Sequence, residues 1–463
     1  VAFEHRRHHA IASLASARAP AQDESVAVTP AAVVLGAGRK RICVIGTGIA
    51  GLLAARLLSS RHDVTVYEQD DRLGGHTHTV DVTVGANSWA IDTGFIVHNE
   101  RNYPNLVRIL AHLGVVTQPT RMSFSMRCER TGLEYCGSSL NQMFAQRSNL
   151  LRPSFYGMLL DIMRFHRDAQ RVLQRTDEPS LLEVLAEGRY GAAFIERYLV
   201  PMGAAIWSAD PAQLRTMPAR FFLQFFHNHG MLQIRGRPLW RTVRGGSRAY
   251  LGPLTAPFAG KVRLSAKVTA LRRTGGGVRV EAHGQPAQQY DGAIVATHSD
   301  QALSLLADPS EAERSLLAAV SYQENEVVLH TDERLLPRRR RAWAGWNYLL
   351  PSTSQDRVAV TYCMNLLQDL PPAAPTFCVT LNHSAAIDPS KVLRRFRYHH
   401  PVFTSGAVAA QQRLPMVNGV ARVWFCGAWC GYGFHEDGVV SALKVAHDFG
   451  LSLDDLGAHG RQS

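Results

Sequence analysis

Apolar residues follow two rhythms along this chain. Toward either end they come as short unbroken runs: "ICVI" (Ile42 to Ile45), "VTVY" (Val64 to Tyr67) and "VWFC" (Val423 to Cys426). Runs of that length, rich in β-branched and aromatic residues, predict strands buried on both faces. Between the first two, Ala50 to Ser60 has the spacing of a helix. Through the middle the spacing is mostly helical: Tyr103 to Leu113, Arg152 to Arg175 with a basic polar face, then "LLEVLAEG", "GAAFIERYLVPMGAAIWSAD" and "MPARFFLQFFHNHGML". Strand patterns interrupt it: a pair around Thr131-Gly132, alternation on both sides of Gly275 to Gly277, an apolar strand ending at Ala296-Thr297, and "NEVVLHT" and "RVAVTYCMN", the last two expected to pair. The pattern is that of an α/β protein.

The stretch between the first strand and the second narrows the chemistry. Gly46, Gly48 and Gly51 form G-x-G-x-x-G where the strand gives way to the helix, and Glu68 closes the second strand. Gly46 suits the tight turn, Gly48 close backbone approach to a pyrophosphate, and Gly51 helix-on-strand packing; Ile49 and Ala50 open the helix whose N–H groups face the phosphates. Glu68 and Gln69 stand where ribose hydroxyls are held. A second short R-x-G-G motif, Arg72, Gly74 and Gly75, follows, then His76. No second strand-G-x-G-x-x-G unit occurs. "VVLGAG" (Val33 to Gly38) lacks the third glycine and "GYG" (Gly431 to Gly433) lacks an adjoining strand. A separate nicotinamide domain is therefore not expected, and electrons would leave to oxygen, a quinone or a protein.

On these motifs the chain resembles the FAD-containing amine oxidoreductase superfamily of amine oxidases, phytoene-type desaturases and protoporphyrinogen oxidases. The resemblance implies a Rossmann-type FAD domain, assembled from three separated segments, beside an α+β substrate domain of mixed sheet and helices. The expected boundaries are a leader over 1–38, FAD segments at 39–115, 236–300 and 406–450, substrate segments at 116–235 and 301–405, and a tail at 451–463. It implies that Arg72 to Gly75 run along the pyrophosphate. It places the D-x-G turn of "WAIDTGFIVHN" near the isoalloxazine through Gly94, Val268 against adenine through its backbone, and Ala296 beside the cofactor. Gly427 and Asp437 would belong to the ribityl–pyrophosphate region. The final helix is expected to begin around Gly438, with Val439 donating its N–H to the flavin, where a helix N-terminus favours negative charge. Where amine oxidases often carry an arginine after the two glycines, this chain has His76.

"GGHTHTVDV", "IDTGFIVHNERNYPNL", "GRPLWRTVRGGSRAYL" and "GFHEDGVVSALKVA" resemble a bacterial subgroup found alongside cyclopropane-fatty-acid-synthase-type methyltransferases. That likeness implies dehydrogenation or desaturation of a methylated or cyclopropane acyl chain, with hydride passing to flavin N5. Two alternatives stand beside it: a flavin amine oxidase, and a non-catalytic flavoprotein partner of a lipid methyltransferase. His435, just before the flavin-facing turn, is the candidate base or substrate-orienting residue, with a structural histidine as the alternative. Cys430 matches poorly the cysteine that carries covalent flavin in some amine oxidases, so FAD is expected to be non-covalent. The superfamily's usual lysine near N5 has no evident counterpart: the chain has five lysines, and those in its middle, Lys261 and Lys267, read as FAD-domain strand residues.

Composition adds limits. The chain has 463 residues, 50 Lys plus Arg against 38 Asp plus Glu, and a net charge of +12. Nearly all the positive charge is arginine, which fits a GC-rich genome better than a nucleic-acid surface, and no nucleic-acid partner is expected. "PRRRRAW" (Pro337 to Trp343) is either a solvated loop or a contact with anionic lipid or another acidic partner. Seven cysteines without CxxC spacing point away from a disulfide framework and from zinc, and the lone H-x-H of His227 and His229 is no metal site. Phe221, Phe222, Phe225 and Phe226 form a helical stripe, either core or the wall of a cleft for a greasy substrate. No apolar run is long enough to span a bilayer. The expected location is cytoplasmic, with peripheral contact at the inner face of the membrane.

Overall fold

The computed structural model describes residues 38–233, 236–352 and 357–460. All but the last residue of the expected leader lie outside them. A five-stranded parallel sheet forms one layer, with strands β1 (Arg41–Ile45), β2 (Asp63–Tyr67), β3 (Val262–Arg263), β4 (Gly292–Val295) and β5 (Val423–Phe425) in the order β3-β2-β1-β4-β5. Ile45 lies opposite Tyr67 on one side and Val295 on the other, and Val295 opposite Phe425. Residues nearly four hundred positions apart thus meet in one sheet.

Alternation along β1 splits the core in two. Ile42 and Val44 face helices α1 (Ile49–Leu58) and α5 (His435–Asp448), while Cys43 and Ile45 face Tyr67, Val295 and Phe425. Every residue of α1 is buried, which is why the sequence over this helix, Arg56 apart, is apolar all round rather than striped.

The second unit is built on a seven-stranded sheet in the order Val392–Val402, Ser321–His330, Cys378–Leu381, Ala359–Cys363, Trp346–Leu350, Phe124–Cys128, Leu133–Cys136. The expected pairing of "VLH" with "TYCMN" does not occur. Cys378–Leu381 lies between them, pairing Val379 with Leu329 on one side and Tyr362 on the other. Helices α3 (Pro153–Leu173) and α4 (Ala219–Asn228) pack on this unit around Phe165, Phe194, Phe222 and Phe226, all buried. Helix α2 (Pro104–His112) joins the first unit through Leu106, Ile109 and Leu110. Among the described residues no helix is long and apolar enough to cross a membrane.

Candidate active site

The three glycines of the motif differ in what surrounds them. Gly46 has φ +101, and a Cβ there would stand 2.7 Å from the Ala296 carbonyl oxygen. A Cβ on Gly51 would stand 2.0 Å from the Gly46 oxygen. Only glycine lets β1, β4 and α1 close together here. Gly48 is different. Its Cβ position opens onto space with nothing within 4 Å, as a backbone cradle for a ligand requires. Gly48 is the N-cap of α1 and makes no side-chain cap, and the first turn, Ile49 to Gly51, holds no acid. The free N–H groups at this end remain available to an anion.

Glu68 closes the loop from the far side. Its Oε2 accepts from the Thr47 N–H at 3.0 Å and, over a very short contact, from the Thr47 hydroxyl, while Oε1 accepts from the Asp70 N–H at 3.0 Å. Both lone pairs of Oε2 are thus engaged within the loop, and Oε1 keeps one for a ribose hydroxyl. Gln69 is exposed beside it. Val268 follows Ala266, whose N–H donates to the Glu68 carbonyl at 2.7 Å, so the adenine-side candidate adjoins the ribose-side one.

The Arg72–Gly75 loop folds back over the cradle. A Cβ on Gly75 would stand 3.3 Å from Gly48 Cα, and the Gly74 N–H donates to the Thr47 carbonyl at 3.1 Å. The Arg72 guanidinium donates to the carbonyls of Gly75 (2.9 Å) and Leu73 (3.4 Å), and among the described residues it meets no carboxylate. Gly94 packs on His76: a Cβ there would stand 2.1 Å from the His76 carbonyl oxygen, which already accepts from the Phe95 N–H. Its glycine is required by this backbone crossing.

At the other helix start the structure corrects the expectation. Helix α5 begins at His435, three residues before Gly438, with Phe434 as its N-cap. The unpaired N–H groups therefore belong to His435, Glu436 and Asp437, while that of Val439 lies inside the helix, where i→i−4 bonding uses it. Val439 is buried in the core instead. Asp437 accepts from the Phe434 N–H at 2.8 Å, and burial pushes its carboxyl up to about 6. Gly438 is glycine because a Cβ would reach 2.9 Å from Ile49 Cγ2, which brings the starts of α1 and α5 together. Gly427 donates its N–H to Ser441 at 2.9 Å, anchoring the end of β5 to α5.

His435 is not placed as a free base. Its ring stacks on Phe95 at 3.8 Å and 10°, and Nε2 is bonded with the Thr77 hydroxyl (3.0 Å) and the Tyr250 hydroxyl (3.1 Å). Burial holds it down at about 3, so it is neutral and serves to position the helix start.

Sequence reasoning missed the polar groups around these segments. Buried Asp92 accepts from the Thr79 hydroxyl (2.6 Å), the Ser247 N–H (2.9 Å) and the Ser247 hydroxyl (2.8 Å), stitching "WAIDTG" to "RGGSR", and burial pushes it up to about 6. Two imidazoles and a phenol surround His76: His400 at 5.5 Å, His298 at 6.4 Å and Tyr398 at 5.2 Å between ring centres. Burial lowers His76 and His298 to about 4 and His400 to about 3, with mutual repulsion adding to it. His76 Nε2, His98 Nδ1 and Asn99 Nδ2 are buried without a partner. The scattered histidines gave no motif, and only the strand register assembles them. Among the described residues no His, Cys, Asp or Glu group is arranged to hold a metal ion.

An open cradle at Gly48, an uncapped helix start, an arginine bonded only to carbonyls and three orphaned polar atoms fit a dinucleotide carrying a polar ring system. The relatives name it. AofH of Mycobacterium tuberculosis, assigned as a flavin-containing monoamine oxidase, is 25% identical over 255 residues, 52% of this chain and 53% of its own. The chain thus aligns with about half the length of the curated relatives it matches first. Wild-type putrescine oxidase bound to putrescine has the same fold, with TM-score 0.64 and 14% identity over 89% of this chain and 99% of that one. A CLA-producing fatty acid isomerase from P. acnes does too, with TM-score 0.63 and 16% identity over 88% and 98%. Residues 49–377 match the flavin containing amine oxidoreductase family, and the chain belongs to that family, with FAD, non-covalently bound, as its cofactor.

Proposed function

We propose that the protein is an FAD-dependent oxidoreductase that dehydrogenates or desaturates an apolar substrate, a methylated or cyclopropane-bearing acyl chain. The observation that carries this is the wall beside the start of α5. Phe225 stacks on Phe434 at 5.0 Å, Phe221 lies 4.6 Å from Tyr432 and 5.0 Å from Phe403, and Trp207 lies 4.8 Å from Phe225. All four rings of the stripe are buried: Phe222 and Phe226 fill the helical unit, while Phe221 and Phe225 pack on Tyr432 and Phe434 of the turn before α5.

The charged groups nearby are already engaged. Glu436 accepts from the N–H groups of Asn105 and Leu106 and from the Asn105 amide, and Asp437 caps its own helix. No carboxylate of this turn is left to hold an ammonium group. No lysine among the described residues is buried.

FAD, when bound, supplies a two-electron acceptor for hydride. The motif residues Gly46, Gly48, Gly51, Glu68 and Arg72 would hold its dinucleotide part. The aromatic wall orients a hydrocarbon chain and excludes water. Burial holds His76 at about 4, so it is neutral at pH 7, and the proton that leaves the substrate passes to water. The motifs shared with the methyltransferase-associated subgroup support a lipid methyltransferase as the partner that supplies the modified chain. A shared fold with a fatty acid isomerase accords with an acyl substrate.

Amine oxidation is the second reading, favoured by the name of the M. tuberculosis relative and by rings that also suit a cation. Mass spectrometry separates the two. Holoenzyme incubated aerobically with mid-chain methylated and cyclopropane acyl lipids is expected to yield acyl products lighter by two hydrogens. Aldehyde and ammonia from primary amines, with unchanged lipids, would overturn the lipid reading.

A further inference from the structure

Half of the large apolar side chains exposed among the described residues are gathered in one region of the chain. Leu140, Leu150, Leu151, Tyr156, Leu160 and Met163 fall within a stretch of 24 positions, and the most exposed are Leu151 at 86%, Leu140 at 80% and Leu160 at 62%. They belong to three consecutive pieces: the short helix Leu140–Met143, the 3-10 turn Arg147–Leu151 and the first half of α3.

The pieces form one surface. Tyr156 donates its hydroxyl to the Leu150 carbonyl at 3.0 Å, and Phe144 lies 5.5 Å from Phe155. On α3 the outward residues Tyr156, Leu160 and Met163 follow one stripe, and the opposite stripe, Phe155, Met158 and Phe165, is locked into the core. The outward stripe is thus held rigidly, and its exposure is not a frayed end.

The unpaired charge around it is positive; Asp161, between Leu160 and Met163, is paired with Arg164 at 2.9 Å. From Gly137 to Leu160 the chain has no Asp or Glu, and Arg147 and Arg152 are both in that span. Arg147 donates to Phe144 and Asn141 and Arg152 to Thr131, and among the described residues neither meets a carboxylate. The run "RRRR" joins the same face. A groove of about 580 Å³ is lined by Ser138, Ser139 and Gln142 on one side and by Arg340, Arg341 and Trp343 on the other. Arg340 pairs with Glu333, whereas Arg341 meets no acid among the described residues.

We infer that this face docks the protein on an anionic lipid bilayer, with Leu140, Leu150, Leu151 and Leu160 entering the hydrocarbon boundary and Arg147, Arg152 and Arg341 meeting lipid phosphates. An apolar patch of this kind ringed by unpaired arginines has the two components that interfacial binding needs, buried apolar area and attraction to anionic headgroups. The arginine rim selects a bilayer over an apolar protein partner or a second copy of this chain, whose identical rim would repel it. The face is carried by α3, which shares a core with α4 and its aromatic wall, so a docked molecule would hold that wall on the membrane side of the molecule.

The test uses the full-length holoenzyme and sedimentation with vesicles of phosphatidylcholine alone or with phosphatidylglycerol at three to one. Binding to the anionic vesicles that fades with added salt is expected, with little binding to phosphatidylcholine. Leu151→Asp and Arg341→Glu should each weaken binding roughly tenfold, while Met416→Asp, an exposed apolar residue outside the patch, should not. Flavin content and thermal unfolding confirm that the variants are folded. No binding by the wild type, equal binding to neutral vesicles, binding unchanged in Leu151→Asp, or a dimer that Leu151→Asp converts to monomer would each overturn the proposal. Sedimentation needs no turnover, so this result stands or falls apart from the substrate reading.

Discussion

Two helices start side by side in this molecule, and they start differently. Helix α1 follows Gly48, has no side-chain cap and no acid in its first turn. Helix α5 follows Phe434 and has Glu436 and Asp437 in its first turn. The first leaves its N–H groups and its positive end to a doubly charged pyrophosphate. The second is already compensated by its own carboxylates, so the group it faces need carry only partial charge. Gly51 and Gly438 let both starts approach their neighbours, and a Cβ on Gly438 would touch Ile49 of the other helix. One ligand long enough to reach both ends would meet a strongly anion-binding site at α1 and a weakly polarising one at α5. That is the charge distribution of FAD, whose doubly charged pyrophosphate lies mid-molecule and whose neutral isoalloxazine ring lies at one end.

The contrast can be broken most severely at α1. Gly51→Ala puts a methyl group on the Gly46 carbonyl, and the backbone of β1 and α1 must separate. The expected cost is about 3 kcal/mol or more, with loss of bound flavin, read from denaturant unfolding and from the absorbance of the purified protein. Gly48→Glu separates folding from binding. The Cβ position is open, so the fold should persist with an unfolding midpoint near the wild type, while a carboxylate beside the phosphates should reduce flavin retention at least tenfold.

At α5 the effects are smaller and depend on pH. His435 is held down at about 3 by burial, below its ordinary value. Its contribution is therefore complete above the unfolded pKa of about 6.5 and is lost as pH falls toward the folded one. His435→Gln, which keeps a partner for Thr77 and Tyr250, should make the decline between pH 6 and 4 shallower by about 1.4 kcal/mol per pH unit. Asp437 has the opposite sign. Its carboxyl is raised to about 6, so the neutral form is favoured at low pH and that advantage disappears as pH rises through 6. Asp437→Asn keeps an oxygen for the Phe434 N–H and should gain on the order of 1–2 kcal/mol at pH 8 relative to pH 4. Equal slopes for wild type and variant in unfolding measured across that range would remove Asp437 from the account.

The same two helix starts show what a sequence reveals. The α1 end was legible because its three glycines stand in one short motif, Gly51 demanded by the Gly46 carbonyl five residues away, and a strand, a turn and a helix stand in unbroken order. The start of α5 was misplaced by three residues because Phe434, an N-cap with no capping oxygen of its own, gives no signal, and Asp437 caps from the third helical position. His435 was read as a candidate base because its stacking partner Phe95 and its bonding partners Thr77 and Tyr250 come from remote segments. The same holds for the imidazoles around His76, which are brought together by β-strand register. In the seven-stranded sheet, four residues, Cys378–Leu381, are too short a run to announce a central strand, and two better-marked strands were paired across it. Local motifs survive reading in one dimension, whereas contacts made by tertiary register do not.

The central claim is that this cradle holds FAD and passes it hydride from an acyl chain. Anaerobic mixing of the flavin-loaded protein with methyl-branched or cyclopropane acyl lipids, while the flavin absorbance is followed, tests it most directly. The account predicts that these lipids bleach the flavin and that primary amines do not. Bleaching by amines alone would contradict it, and a purified protein that neither carries nor takes up FAD would contradict the cradle itself.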